Sequence, residues 1–153
     1  MESQQITNAY EALTDALRKG GFAPPGEGWP VEFIAGHVAL NNELIAAVTE
    51  CIAAGDEPSY DNRSAISETE LHGYVEAAGD LAGLADALDR SVQRLVAAWS
   101  SLDEHTEGYL LPATIVDGGT LVHEGPIPIT SFLEVNSSEH LRLQLDQLLA
   151  LRE

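Results

Sequence analysis

PVEFIAGHVALNNELIAAVTECIAAG, residues 30–55, has the apolar periodicity of one long α-helix. Side chains three and four positions apart share one helix face. The apolar ones are Phe33, Ile34, Val38, Leu44, Ile45, Val48 and Ile52. Gly55 ends the pattern, and glycine commonly stands just after a helix. His37 falls on the same face, four residues after Phe33, so we expect its imidazole to point into the core.

Three further segments carry helical patterns. The first repeats its apolar residues at the same spacing until Gly20-Gly21 stops it. Those residues are Ile6, Tyr10, Leu13 and Leu17. Residues 67–102 begin with Ser67-x2-Glu70, the spacing of a capping box, and predict one long helix whose glycines are weak points. Residues 129–153 predict the closing helix.

Residues 109–128 break the helical pattern. LPATIV and TLVHEG flank Asp117-Gly118-Gly119, and an Asp-Gly turn between two β-rich runs indicates a hairpin. The sequence therefore predicts an all-α fold, a four-helix bundle with a long crossover that contains a short β-hairpin before the last helix. We expect a single helical bundle domain over residues 1–153, since a chain of this length is the size of one domain.

The composition argues against several classes of function. Seven Lys and Arg residues against 25 Asp and Glu residues give a net charge of −18, which repels nucleic acid and anionic membrane surfaces. Cys51 is the single cysteine, so an internal disulfide and a cysteine-based zinc site are excluded. The first ten residues, MESQQITNAY, lack the pattern of a secretion signal. We expect a cytoplasmic protein that binds neither nucleic acid nor membranes.

The closing helix carries His140 and Gln144 one turn apart, with Gln147 after them. Residues at i and i+4 lie on one helix face, so both side chains can face one ion, and His37 from another helix can add a third donor. His37, His140 and Gln144 are therefore the candidate ligands of a divalent metal. The alternative is a buried polar trio without a metal, because either histidine can hydrogen-bond the Gln144 amide.

Three stretches resemble a known family. WPVEFIAGHVALNNEL, residues 29–44, resembles the second-helix signature of the DinB/YfiT-like superfamily of four-helix-bundle metalloenzymes, in which a metal-binding histidine follows a tryptophan. EHLRLQLDQL, residues 139–148, is similar to the closing His-x3-His-x2-Gln motif of that superfamily. LPATIVDGGTLVHEGPIPITSFLE, residues 111–134, resembles the segment before the last helix in the branch of mycothiol-dependent maleylpyruvate isomerase and its small single-domain relatives.

The resemblance implies a role for each matching residue. His37 and His140 would be metal ligands, Gln144 stands where the motif has its second histidine, and Gln147 matches the glutamine of the motif. In this branch a divalent metal, Zn²⁺ or Ni²⁺, binds a low-molecular-weight thiol as the thiolate and presents it to a small-molecule electrophile. The departure at position 144 weakens such a site, because an amide oxygen is a harder and weaker donor than an imidazole.

Two functional hypotheses follow from these residues. In the first, the chain is a DinB-like bundle with a degenerate His/His/Gln metal site and an unproven activity. In the second, it is a metal-dependent transferase or isomerase that uses a low-molecular-weight thiol. Both require that the imidazoles of His37 and His140 lie within about 10 Å of each other, since each ligand atom lies ~2.1 Å from the ion.

Bundles of this family often pair through exposed helix faces, and Trp99, near the end of the predicted third helix, is a candidate contact. We therefore predict a homodimer. Sedimentation velocity in moderate salt, where repulsion between acidic chains is screened, should show the dimer mass. A single species of monomer mass would contradict this prediction.

Overall fold

The computed structural model describes residues 3–152. Its helices are α1 (Ser3–Lys19), α2 (Val31–Ala53), α3 (Arg63–Ile66), α4 (Glu68–Ala78), α5 (Leu81–Ser100), α6 (Ile129–Val135) and α7 (Leu141–Leu149). A π-helical turn, Asn136–His140, joins α6 to α7. The strands are β1 (Tyr60–Asp61), β2 (Leu110–Asp117) and β3 (Thr120–Pro128). The fold is therefore mainly helical, with a small three-stranded sheet in the order β1-β2-β3.

Helix α2 is central to the packing. It contacts α4, α5 and α7, while α1 packs against α5. Most of the apolar stripe predicted for this helix faces the core, since Ile34, Val38, Ile45 and Ile52 are buried. Leu44 and Val48 are partly buried against the core, and Phe33 is partly buried. The predicted stripe of α1 is buried as well, and Gly20 follows the helix with a φ of 70°. The apolar periodicity of both helices is thus confirmed.

The prediction of one long helix over residues 67–102 is wrong. The chain forms α4 and α5 instead, and Gly79 between them has a φ of 89°, a left-handed conformation that favours glycine. Asp80 then caps the new helix, since its carboxylate accepts a hydrogen bond of 2.8 Å from the Gly83 N–H. The expected cap at Ser67 is present, where the side chain accepts from the Glu70 N–H.

The hairpin prediction is confirmed, because β2 and β3 are antiparallel and Gly118 and Gly119 form the turn between them with φ of 57° and 80°. The all-α prediction needs a correction, however. Residues 56–66, which carry none of the helical or hairpin patterns, contain β1 and α3, and Tyr60 of β1 pairs in parallel with Ala113 of β2. The reason is that β1 gains its partner from a strand about fifty residues later, which no local pattern reveals.

The closing helix is not uniform. Its π-helical turn contains Asn136, Ser137 and Ser138, whose short polar side chains compete for backbone hydrogen bonds and weaken regular α-helix. Ser138 does so here, because its hydroxyl donates to the Glu134 carbonyl over 2.6 Å. The regular helix ends at Leu149, four residues before the predicted end. Positions 1, 2 and 153 of the predicted domain lie outside the described residues.

One described helix, α2, is long and apolar enough to cross a membrane by length and composition alone. Of its most apolar window, 61% is buried inside the fold. The core helix of a soluble protein satisfies the same criterion, so this property is weak evidence for a membrane span.

We predict that Ile45→Ala lowers the free energy of unfolding by about 2–5 kcal/mol, because the removed atoms leave a cavity in the core beside the middle of α2. Leu121→Ala is the control, since Leu121 is 52% exposed on β3 and should change stability by less than about 0.5 kcal/mol. Urea denaturation followed by circular dichroism measures both. Equal losses in the two variants would contradict this assignment of the core.

Candidate functional site

The imidazoles of His37 and His140 meet inside the protein. Their Nε2 atoms lie 3.4 Å apart, and the ring planes are inclined by 73°. Helix α2 supplies His37, and the π-helical turn supplies His140 from the facing closing helix. The expected approach of the two rings is therefore confirmed.

The backbone fixes the tautomer of His37. Its Nδ1 lies 2.8 Å from the carbonyl oxygen of Ala65 in α3, and because a carbonyl only accepts, Nδ1 carries the proton. The lone pair then resides on Nε2, which faces His140. Metal-binding histidines commonly donate their other ring N–H to a carbonyl in this way. Trp29 flanks the ring, with its centroid 5.5 Å from that of His37.

Both imidazoles are held neutral. Burial lowers the pKa of His37 below its usual value, although the hydrogen bond to Ala65 and the charge of Asp117 oppose this effect. Burial, together with the neighbouring His37, lowers the pKa of His140 to about 4. Near pH 7 each ring therefore offers a nitrogen lone pair without first losing a proton.

Gln144 completes the candidate trio. Its Nε2 lies 3.4 Å from the Nε2 of His140, one helical turn away. The residue is 8% exposed, and its buried Oε1 has no hydrogen-bond partner. Leaving such an acceptor unpaired costs about 1–3 kcal/mol. Gln147, by contrast, is exposed, although it lines the same cavity.

The hydrogen-bond needs of the trio cannot all be met. If His140 Nε2 carries a proton, it can donate to His37 but cannot accept from the Gln144 amide. If it lacks the proton, it can accept from Gln144, but two bare lone pairs then face each other. If the amide is flipped, so that Oε1 and Nε2 exchange positions, Oε1 can accept from a protonated His140 Nε2. The lone pair of His37 then has no donor. One cation among the three side chains would pair with the lone pairs of both imidazole Nε2 atoms and of Gln144 Oε1.

The geometry and chemistry of the trio fit a transition metal. Two nitrogens ~2.1 Å from one tetrahedral ion are about 3.4 Å apart, which is the separation of the two imidazole nitrogens here. The donor set is sparse, however. Within residues 3–152 no group of three or more His, Cys, Asp or Glu side chains could hold a metal ion. The Gln144 amide lies next to this pair and could add a third protein donor.

The trio lines a cavity of about 920 Å³. Helices α2 and α7 form part of its wall, and the hairpin turn contributes Asp117, Gly118 and Gly119. Asn62 holds the hairpin in place, since its side chain donates to the Val116 carbonyl over 2.9 Å and accepts from the Val116 N–H over 2.8 Å. The crossover segment thus serves as one wall of the site.

A second polar cluster, which the sequence analysis did not identify, lies one helical turn from the histidine pair. Asn41 donates to Asn136 over 3.1 Å, and Asn136 donates to Tyr10 over 3.1 Å. Asn41 follows His37 by four positions, and Asn136 precedes His140 by four positions. That matched spacing was the available signal, because antiparallel helices that pair one set of residues also pair the residues one turn away.

The other histidines lie elsewhere. His72 and His105 are exposed, and His123 Nε2 lies 3.2 Å from the Gly125 carbonyl within the hairpin. None of them joins the trio in the described part of the chain.

We predict that Gln144→Met leaves the stability of the metal-free protein unchanged or raises it by up to about 3 kcal/mol, because it removes an unpaired buried acceptor. Asn136→Leu is the contrasting variant. It leaves buried partners of Asn136 unpaired and should cost about 1–3 kcal/mol for each of them. Urea denaturation in the presence of a chelator measures both. A large loss in Gln144→Met would show that the amide is a structural residue.

No protein-family model matches the chain, and no curated protein or solved structure matches it at a significant level. The resemblance to the DinB/YfiT-like superfamily therefore remains a prediction from three sequence motifs.

Proposed function

We propose that this protein is a DinB-like four-helix-bundle protein in which His37, His140 and Gln144 bind one divalent transition metal, Zn²⁺ or Ni²⁺, in a degenerate site. One observation carries the proposal. Two neutral imidazole nitrogens face each other at 3.4 Å beside a buried amide oxygen that has no partner. Without a cation, this arrangement destabilises the protein, because buried polar atoms lack partners. Around a cation the same atoms become ligands, and the arrangement is favourable.

The arrangement of the helices supports the bundle. The four long components would be α1, α2, α5 and the closing helix of α6 and α7, with α2 packed against both α5 and α7. The hairpin would be the crossover that precedes the last component. Metal sites in bundles are built from core side chains of facing helices, which is where His37 and His140 lie.

The side chains of this site have distinct tasks. The Ala65 carbonyl orients His37 and keeps its Nε2 free of a proton. Burial keeps His140 neutral, and Gln144 offers an amide oxygen in place of a third imidazole. When bound, a divalent metal lowers the pKa of a coordinated thiol or water and so supplies a nucleophile at neutral pH. The amide makes the site weaker than one with three histidines.

A second candidate function is a metal-dependent transferase or isomerase that uses a low-molecular-weight thiol. The observation that favours it is the size of the cavity beside the trio, about 920 Å³. That volume lies near the upper end of small-molecule sites and offers room for a thiol together with a small electrophile. The cavity walls would exclude part of the solvent and orient the two reactants.

Titration calorimetry with Zn²⁺ and Ni²⁺ on protein purified without a His-tag tests the metal proposal. We expect measurable binding by the wild type and an affinity at least about 10-fold higher for Gln144→His, because a nitrogen donor replaces an amide oxygen. Adding His37→Ala to Gln144→His should abolish the gain.

His123→Ala is the matched control, since it removes a histidine that lies outside the trio, and it should leave the affinity unchanged. Circular dichroism of each variant confirms that the fold persists. Negligible binding by the wild type, Gln144→His and the double variant alike would mean that the trio only packs, and the metal proposal would then be wrong.

A further inference from the structure

The cavity beside the trio is lined by carboxylates from three separate parts of the chain. Glu27 precedes α2, Glu68 begins α4, and Asp117 ends β2 at the hairpin turn. All three are exposed, whereas His37 and Gln144 are buried, so the carboxylates lie on the solvent side of the cavity. We call Glu27, Glu68 and Asp117 the acidic rim.

No basic side chain balances the acidic rim. The seven Lys and Arg residues of the chain all fall in the described part, and none of them lines the cavity. One member of the rim acts further inside, because the negative charge of Asp117 opposes the lowering of the His37 pKa by burial. An anionic ligand would therefore enter against repulsion and would find no side chain to pair with its charge.

The inner lining consists of apolar side chains and hydrogen-bond acceptors. Trp29 and Ile34 present apolar surface, and a tryptophan face attracts cations as well as apolar groups. Gln144, which is more than nine-tenths buried, contributes an oxygen that has no partner. In the metal-free cavity an acceptor of this kind favours a ligand that carries N–H or O–H donors.

We propose that the cavity binds a small amine, that is, a ligand with an apolar body and a protonated amino group, and discriminates against carboxylates and phosphates. The apolar body contacts the inner wall, and the ammonium group lies at the acidic rim. This inference rests on the proposed function, because the same cavity contains the metal donors. It adds the charge class of the ligand, which the metal donors do not determine.

Three probes with the same apolar body test the proposal: 2-naphthylmethylamine, 2-naphthalenemethanol and 2-naphthoate. Binding is followed at pH 7 by ¹H–¹⁵N NMR of the labelled protein, where the amides of Gly118 and Gly119 and the Gln144 side chain report on the cavity. We expect the amine to bind at least about 10-fold more tightly than the carboxylate at low ionic strength, with the alcohol between them. Added salt should lower the ratio of the amine affinity to the carboxylate affinity, because it screens the charges of the exposed rim.

The triple variant Glu27→Gln, Glu68→Gln and Asp117→Asn removes the charge of the acidic rim with little change in shape. It should reduce the preference for the amine over the carboxylate to less than about 3-fold. Thermal denaturation of the variant confirms that it is folded.

A chain with a net charge of −18 attracts cations everywhere, so a charge-matched control is required. Glu76→Gln, Glu104→Gln and Glu107→Gln neutralise three exposed carboxylates that do not line the cavity. This variant has the same net charge as the rim variant and should keep the preference of the wild type. If it loses the preference, or if the rim variant keeps it, the acidic rim is not what selects the ligand and the proposal is wrong.

Titrations with and without Zn²⁺ separate this inference from the metal proposal. Binding of naphthoate as tight as that of the amine, with or without Zn²⁺, overturns the inference, and so does the absence of shifts with any probe at millimolar concentration. If the amine is preferred while the calorimetry detects no metal, the metal proposal fails and the charge class of the ligand stands.

Discussion

The buried side chain of Asn136 is the interaction on which the geometry of the site depends. It accepts from Asn41 and donates towards Asn42 in α2, and it donates to Tyr10 in α1. Asn42 extends the connection to Ser91 in α5 over 3.3 Å. One amide therefore ties the closing helix to two other helices, and indirectly to a third. Because every one of these polar groups is buried, any other register would leave several of them unpaired.

The same anchor stands at the start of the π-helical turn in the closing helix. The turn begins at Asn136 and ends at His140, so it connects the anchored amide to the imidazole of the site. A π-helical turn holds an extra residue and rotates the following side chains relative to a regular α-helix. The position of His140 against His37 is thus set by the anchor at Asn136 together with the turn that follows it.

The sequence predicts the parts of the fold that repeat locally. Apolar periodicity identifies α1 and α2, the Asp117-Gly118-Gly119 turn identifies the hairpin, and one-turn spacing brings His140 and Gln144 to one face. The break between α4 and α5 is harder to predict. It depends on whether the Asp80 cap stabilises a new helix by more than the hydrogen bonds of an uninterrupted helix would contribute. Strand β1 was missed since its two residues are specified only by a distant partner.

Some features of the site also could not be predicted from sequence patterns. The group that orients His37 is the main-chain carbonyl of Ala65, and alanine gives no indication of such a role. The unpaired Oε1 of Gln144 and the carboxylates of the acidic rim become evident only when five segments of the chain meet at one cavity. The spacing in the sequence predicts the candidate donors His37, His140 and Gln144. Their protonation and their surroundings depend on the tertiary structure.

The carbonyl of Ala65 has one more consequence. Control of the His37 tautomer by a main-chain atom is insulated from mutation, because no side-chain replacement at position 65 deletes that oxygen. A donor elsewhere, such as the one at position 144, can therefore be exchanged while the imidazole of His37 keeps its orientation. Under the proposed function, the site could therefore exchange a ligand by a single substitution, because the scaffold that aligns the first imidazole is part of the chain path itself.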